Sequence, residues 1–190
     1  MFEVYSLTIQ TFLNMATTTW NLDTAHSEVT FKVKHLVIST VSGKFKSFSS
    51  AVSTEGDDFS SAKISFELES ASLDTGMEMR DNHLRGDDFF NAEAFPKIIF
   101  TASAVRQIDG SEHEIDGHLT IRDVTKPITL KADFGGIAVD PYGQTKAGFD
   151  VEGKINRLDY GLTWNAMTEA GGAVVSNEVK FQANVQYIKQ

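Results

Sequence analysis

Residues 75–96, TGMEMRDNHLRGDDFFNAEAFP, interrupt a sequence that otherwise alternates apolar and polar residues. Thr75 and Glu78 have the spacing of a capping box, which predicts that a helix begins here. Gly86 is placed to end that helix, and Pro96 closes the segment. The segment therefore predicts a charged helical insertion between strands. It either forms a lid over one end of a β structure or is a connecting helix that seals a core.

The second half of the insertion carries an aromatic pair. Asp87 or Asp88 is placed to cap a short turn that holds Phe89 and Phe90. Large aromatic side chains contribute strongly to stability when they are buried. We therefore predict that Phe89 and Phe90 act as the latch of a lid.

Outside the insertion, apolar residues recur at every second position, as in strands with one buried face. The alternation predicts eight strands, at residues 28–35, 41–48, 62–68, 98–104, 113–121, 128–134, 145–157 and 175–187. Turn signals, such as the DPYG sequence at residues 140–143, separate several of them, and no crossover helix is predicted. The sequence therefore predicts an all-β, antiparallel fold.

Eight such strands must form a closed barrel or a sandwich. A closed barrel has no exposed strand edges, and eight strands enclose room for one small ligand. The inward face is rich in small residues, which a sandwich would have to offset with large ones across its core. These residues are Ala102, Ala104, Gly117, Ala132, Ala147, Gly153 and Ala183. The pattern favours a hollow barrel.

The composition narrows the possible partners. The chain has 26 acidic and 17 basic residues and a net charge of −9, which disfavours nucleic acid or an anionic membrane surface as the main partner. It has no Cys, which excludes disulfides, thiol nucleophiles and thiolate metal sites. No stretch is long and apolar enough to span a bilayer, so we expect no stable membrane insertion.

Residues 1–19 are predicted to be an N-terminal extension to a domain of residues 20–190. The extension lacks the positive start and continuous apolar run of a secretory signal, and the first basic residue of the chain is Lys32. Met15 is a second candidate for the translation start, besides Met1. We expect an unexported, cytoplasmic protein.

Neither a metal site nor a hydrolytic site is predicted. His113 and His118 lie five residues apart in a strand and therefore face opposite sides, and no HExxH motif occurs. No GxSxG nucleophile motif occurs either. His35 lies alone near a strand end, where we interpret it as a core histidine.

Arg157 falls on the inward face of its strand, where a guanidinium needs a partner. We interpret it as part of a salt bridge, with Asp81 or Asp159, that pins the insertion to the barrel. The alternative is that Arg157, or Arg80 or His83 of the insertion, meets the polar head of a lipid at the barrel mouth. Trp164 either lines that mouth or fills the barrel end.

Four blocks of the sequence resemble the signature of the YceI-like, polyisoprenoid-binding family of bacterial lipocalin-like proteins. They are FKVKHL followed by VSGKF, RDNHLRGDDFFNAEAFPKIIF, GHLTIRDVTKP and INRLDYGLTWN. The resemblance runs from about Trp20 to the C-terminus. It implies an extended antiparallel, eight-stranded lipocalin-like barrel that holds a long isoprenoid or similar lipid. It also implies a homodimer, and it makes the periplasm an alternative location.

The main hypothesis is that the chain binds and carries or sequesters a polyisoprenoid, an isoprenoid quinone or a fatty-acid-like chain. No catalytic residue, metal or further cofactor is predicted. The predicted ligand-binding residues are Phe31, Val33, His35, Phe45, Phe66, Phe89, Phe90, Phe100, Leu119, Phe149, Arg157, Trp164 and Phe181. One alternative is a small-lipid isomerase or hydrolase that uses His83, Asp81 and Arg157 at the mouth. The other is a stress-related interaction protein with a packed barrel.

Overall fold

A computed structural model describes residues 16–166 and 174–190 as one antiparallel sheet of eleven strands and one helix. The strands are β1 (Thr17–Leu22), β2 (Glu28–His35), β3 (Ser39–Phe45), β4 (Phe48–Glu55), β5 (Asp58–Glu69), β6 (Leu73–Asp74), β7 (Lys97–Asp109), β8 (Glu112–Ile121), β9 (Val124–Val139), β10 (Thr145–Asn156) and β11 (Val175–Lys189). The helix, α1 (Glu78–Arg85), lies between β6 and β7. The predicted antiparallel β fold with a helical insertion is confirmed.

Eight of the strands close into a barrel, in the order β1, β4, β5, β7, β8, β9, β10 and β11, with β11 paired back to β1. The remaining strands form a flap: β2 pairs with β11, β3 with β2, and β6 with β3. β11 therefore pairs with β10 on one side, and with β2 and then β1 on the other. The flap extends the barrel toward the N-terminal end of β11.

The eight strands of the barrel are not the eight that the alternation predicts. The prediction includes the flap strands β2 and β3 and misses the barrel strands β1 and β4, as well as the short β6. The single strand predicted at residues 41–48 is wrong, because β3 ends at Phe45 and β4 begins at Phe48. Between these residues the chain crosses from the flap to the barrel. The N-terminal extension falls mostly outside the described residues, and β1 begins at Thr17.

Aromatic side chains fill the end of the barrel that β1 closes. Trp20 is fully buried, donates from its ring nitrogen to Thr54 Oγ1 at 2.9 Å, and packs 4.9 Å from the ring of Phe59. Phe59 in turn contacts Phe134 and Phe149, whose rings stack at 4.8 Å. This end of the barrel is therefore packed and closed.

The insertion covers the other end, although its helix does not begin as predicted. Met77 precedes α1 without a side-chain cap, and Thr75 donates its backbone N–H and its hydroxyl to Asp81. The predicted capping box is therefore wrong. Thr75 bonds to the side chain of Asp81, in the first turn of α1, and does not cap the start of the helix. Gly86 follows the last residue of α1, as predicted.

Candidate functional site

An apolar cavity of about 250 Å³ lies inside the barrel. Its lining comes from the barrel, the flap and the insertion, so that it extends from Leu84 and Phe90 to Phe59 and Tyr187. The few polar residues that line it are Thr30, His113, Arg157 and Tyr187. An enclosed apolar space of this kind suits a hydrocarbon chain and does not suit a strongly hydrated ligand.

Most of the residues predicted to bind a ligand line this cavity. They are Phe31, Val33, Phe45, Phe66, Phe89, Phe90, Phe100, Leu119, Phe149, Arg157 and Phe181. His35 and Trp164 do not line it. His35 is half-buried at the end of β2. Trp164 instead packs against the insertion, 4.8 Å from the ring of His83 and 5.3 Å from that of Phe89.

Some lining residues were missed by the sequence analysis. Val52 lies in β4, a strand rich in Ser that was not predicted. Phe59 follows residues 56–58, which were predicted to form a turn, so the sequence did not reveal that β5 begins there. Leu162 lies in the loop after β10, where alternation gives no information. A search for isolated large apolar residues beside turns would have found Phe59.

Three glycines on the inward face are covered by phenylalanine rings from neighbouring strands. The pairs are Gly43 with Phe31, Gly117 with Phe100 and Gly153 with Phe181. In each pair, a Cβ added to the glycine would lie closer than 3.0 Å to the ring. The expectation that small inward residues leave room is therefore wrong at Gly117 and Gly153, because rings occupy the space. The cavity is the space inside the barrel that those rings leave empty.

Arg157 is almost fully buried, and its guanidinium contacts backbone carbonyls. Nε donates to Ser176 O at 3.0 Å, one terminal nitrogen donates to Trp164 O at 2.8 Å and to Leu162 O, and the other approaches Val175 O at 3.4 Å. Burial lowers the pKa of this guanidinium from its usual value, but an arginine stays protonated at any physiological pH. Arg157 thus joins the loop after β10 to the beginning of β11.

The predicted ion pair of Arg157 with Asp81 or Asp159 is wrong. Asp81 accepts from Thr75, and Asp159 accepts from the side chain of Asn156. Within residues 16–166 and 174–190, neither carboxylate bonds to Arg157. Neutral carbonyls satisfy a buried guanidinium without the need to bury an acid as well.

The helix of the insertion is held by side chains to the segment that precedes it. Arg80 donates to the hydroxyl of Thr75 at 2.6 Å and to its carbonyl at 2.8 Å. Arg85 donates to the carbonyls of Ala71 and Leu73, both at 2.8 Å. These contacts hold α1 firmly, so we expect the turn that follows α1 to be the movable part of the insertion.

That turn covers the mouth of the cavity. Phe89 is buried and packs against His83 and Trp164, while Phe90 packs edge-on against Phe45. His83 Nε2 lies 3.0 Å from a carboxylate oxygen of Asp88. The turn therefore closes the cavity mainly with aromatic contacts.

Tyr187 and His113 are the polar residues at the closed end of the cavity. Burial raises the pKa of Tyr187 to about 12, and its hydroxyl bonds to that of Ser50 at 3.0 Å. His113 is buried with Nδ1 2.7 Å from Ser111 O, whereas His118 faces outward, as predicted. Both polar groups are bonded to other atoms of the protein, and the raised pKa keeps the Tyr187 hydroxyl protonated at neutral pH.

If the turn gates the cavity, replacing both Phe89 and Phe90 with alanine should speed ligand exchange about ten-fold or more. Each buried aromatic side chain contributes roughly 1.5–3 kcal/mol to the closed state. Stopped-flow release of a fluorescent fatty acid measures the rate. Met79→Ala, at an 83% exposed position of α1, is the matched control and should leave the rate unchanged. Equal rates in all three proteins would show that the turn is a fixed plug.

The described part of the chain has no group of three His, Asp or Glu residues that could hold a metal ion. Among residues 16–166 and 174–190, no helix has the length and apolar character needed to cross a bilayer.

A closed antiparallel barrel with an apolar interior and a helical cover defines a lipocalin-like protein. The chain belongs to the YceI-like family, whose domain matches residues 20–187. A UPF0312 protein of Staphylococcus aureus strain MSSA476 is 37% identical over 171 residues, which is 90% of this chain and 97% of that protein. The predicted family is confirmed.

Solved structures share the fold. The YceI protein of Campylobacter jejuni is 35% identical, with a TM-score of 0.71 over 89% of this chain and 96% of that one. BcnA of Burkholderia cenocepacia is 23% identical, with a TM-score of 0.74 over 87% and 99%. A polyisoprenoid-binding domain from Saccharophagus degradans is 17% identical, with a TM-score of 0.68 over 93% and 99%. The last two likenesses show the fold alone.

Proposed function

We propose that the protein binds a long-chain apolar lipid inside the barrel and carries or sequesters it. The observation that supports this most directly is the cavity inside the barrel, with its almost wholly apolar lining. A packed barrel that acts only through its surface would not need such a space. The proposed function rests on this cavity and requires no reactive group.

The volume of the cavity sets the scale of binding. About 250 Å³ lies just below the range of roughly 300–1,000 Å³ that ligand pockets commonly have. Burying roughly ten methylene groups at about 0.8 kcal/mol each gives about 8 kcal/mol, which corresponds to micromolar affinity before ordering costs. A longer chain would need the rings that cover Gly43, Gly117 and Gly153 to rotate away.

The proposed ligands are a polyisoprenoid, an isoprenoid quinone or a fatty-acid-like chain. One structure with this fold is described as a polyisoprenoid-binding domain, which motivates the first of these. The donors of Arg157 and Arg80 are taken up by the protein itself. We therefore place the polar head of the ligand near His83, at the edge of the insertion.

We propose a binding protein in preference to an enzyme. Of the polar residues considered for catalysis, Asp81 is bonded to Thr75 and Arg157 to carbonyls. His83 lies beside Asp88 and is partly exposed. A general base would have to face the ligand. Asp81 and His83 do not line the cavity, and the guanidinium of Arg157, which does, is already bonded to carbonyls.

The ligand is identified by mass spectrometry of lipid extracted from the protein purified from its own host. Phe100→Asp should reduce the bound lipid at least about ten-fold, because a carboxylate in an apolar cavity is costly. Thr101→Asp is the matched control, since Thr101 is the next residue of β7 and is exposed. Circular dichroism must show that both variants are folded. A folded Phe100→Asp protein with normal lipid content would refute the assignment of the cavity.

We further propose a role in lipid transport or a stress response, and a homodimer in solution. Sedimentation that gives a single species near the chain mass of 20.9 kDa would contradict the dimer. The cytoplasmic location stays a prediction, which fractionation of the source cells checks.

A further inference from the structure

The hairpin between β2 and β3 ends in three exposed apolar residues, which we call the tip. Leu36, Val37 and Ile38 are 38%, 83% and 85% exposed. Leu36 and Val37 have left-handed backbone, with φ of 53° and 66°. Glycine and asparagine adopt this region at lower cost, and a β-branched residue rarely adopts it. Among residues 16–166 and 174–190, packing does not account for large apolar side chains at this turn, so the tip fits a contact outside the described part of the chain.

The tip lies at the covered end of the cavity. The backbone N–H of Leu36 donates to Val174 O at 2.8 Å, and Val33 and Val175, which flank this contact, both line the cavity. The β9–β10 hairpin, which carries Tyr142, lies at the opposite end, beside the C-terminal part of β11. A surface that meets the tip would therefore also lie close to the cavity mouth.

The hairpin is a basic part of an acidic chain. The two strands of the hairpin, β2 and β3, contain three Lys and one acid, Glu28, although the chain has a net charge of −9. On the outer face, Lys154, Lys180 and Lys32 lie directly opposite one another across β10, β11 and β2. We call them the lysine row. Like charges in this position repel.

Two carboxylates lie beside the lysine row: Glu178, and Glu152, which precedes Lys154 by two residues on the same face of β10. Glu178 contacts Lys154 at 3.2 Å and Lys180 at 3.9 Å. The row therefore keeps a surplus of positive charge, and Lys34, one step nearer the tip on the same face of β2, adds to it. An exposed row of this kind is complementary to a surface that carries many negative charges.

The spacing between tip and lysines matches the layers of a bilayer surface. At about 3.3 Å per residue, Lys34 lies at most about 10 Å from Val37 and Lys32 at most about 16 Å, since β2 ends at His35 and Val37 lies in the turn. Apolar elements at an interface enter it by about 5–10 Å. With the tip at that depth, Lys34 lies at the level of the phosphates and the lysine row lies just outside them.

We propose that the β2–β3 hairpin docks the protein on an anionic lipid bilayer, with the tip in the interface and the lysine row against the phosphate groups. The proposal rests on the lipid-carrying function, because docking would hold the cavity mouth against the membrane from which the lipid is taken or to which it is given. The chain-wide negative charge does not prevent this, since repulsion from distant acidic residues is screened beyond about 8 Å. The contact is peripheral and reversible.

Co-sedimentation with vesicles of phosphatidylcholine and phosphatidylglycerol in equal parts tests the proposal. Replacing the tip together as Leu36→Asn, Val37→Gly and Ile38→Ser should lower binding about ten-fold or more. Asparagine and glycine suit a left-handed backbone, so this variant should be at least as stable as the wild type, and misfolding cannot explain the loss. Lys32→Gln with Lys180→Gln should lower binding roughly five-fold for each lysine.

Two controls show whether the effect is specific. Tyr142→Ser removes an aromatic side chain that is 90% exposed at the opposite end and should leave binding unchanged. Vesicles of phosphatidylcholine alone should bind the wild-type protein more weakly. The proposal is overturned if the wild type does not bind the mixed vesicles, or if the tip variant binds as well as the wild type. It is also overturned if the tip variant turns a dimer into a monomer without a change in vesicle binding, because the tip is then a self-association surface.

Uptake of a fatty acid from solution, without vesicles, separates this proposal from the proposed function. The tip variant should take up the fatty acid as the wild type does, since the tip residues do not line the cavity. A wild-type protein that binds vesicles but takes up no lipid would refute the lipid-carrying function. The docking contact would still stand in that case, since vesicle binding and its loss in the tip variant are measured independently of lipid uptake.

Discussion

Replacing Arg157 with methionine is expected to lower the free energy of unfolding by about 3–5 kcal/mol. The substitution keeps much of the side-chain volume but removes every donor. The carbonyls of Leu162, Trp164 and Ser176 then lose a donor inside the protein. Each buried acceptor left unsatisfied costs roughly 1–3 kcal/mol. Urea denaturation followed by tryptophan fluorescence measures the loss.

Arg106→Met is the matched control for that experiment. Arg106 is exposed on β7 and pairs with the carboxylates of Glu114 and Asp116. Exposed ion pairs contribute about 0–1 kcal/mol, so this variant should be nearly as stable as the wild type. If Arg106→Met cost more than Arg157→Met, the carbonyl contacts of Arg157 would not be a main support of this end of the barrel.

Gly117→Ala is expected to destabilise the barrel by about 3 kcal/mol. An added Cβ would lie 2.5 Å from the backbone oxygen of Thr101 and 2.6 Å from the ring of Phe100. The ring can rotate, but the oxygen belongs to β7 and moves only if the β7–β8 pairing shifts. Overpacking of this kind costs typically 1–3 kcal/mol and occasionally more. Thermal unfolding should show a lower midpoint.

Gly148→Ala is the matched control, in a strand of the same barrel. A Cβ at Gly148 would have no atom within 4 Å. The substitution should therefore be neutral or slightly stabilising, because it restricts only the unfolded chain. A large loss at Gly148, or none at Gly117, would show that the close approach of Phe100 and Thr101 does not limit what fits at position 117.

The alternation of residues predicted the strands with regular inward faces well. β2 has the predicted limits, Glu28 to His35, and β8 differs by one residue at its start. β1 and β4 were missed because small polar residues surround Trp20 and Val52, so that no period of two stands out. The strands are nevertheless required, since they close the barrel. Closure depends on pairing between distant segments, which a local pattern does not contain.

The site could be predicted only in part, for similar reasons. The predicted inward faces of the strands correctly placed Phe31, Phe100 and Phe181 inside the barrel. They did not show that the rings of these residues cover glycines on neighbouring strands. Those contacts depend on the register between two strands. The partners of Arg157 were predicted to be acids, because a sequence shows only which side chains could pair with a guanidinium. The real acceptors are backbone carbonyls, which every residue has and which only the fold brings together.

The pairing of β11 with β1 has a consequence for how the protein folds. Lys189 lies opposite Trp20, so the two ends of the described chain must meet before the barrel is complete. During synthesis, the ribosome still holds β11 after the other strands have emerged, and their apolar inward faces have no closed interior to enter. Topologies with such distant contacts fold slowly, and unpaired edges are exposed to aggregation in the meantime. Pairing of β11 therefore sets the moment at which the barrel of a newly made chain closes and its apolar inward faces are covered.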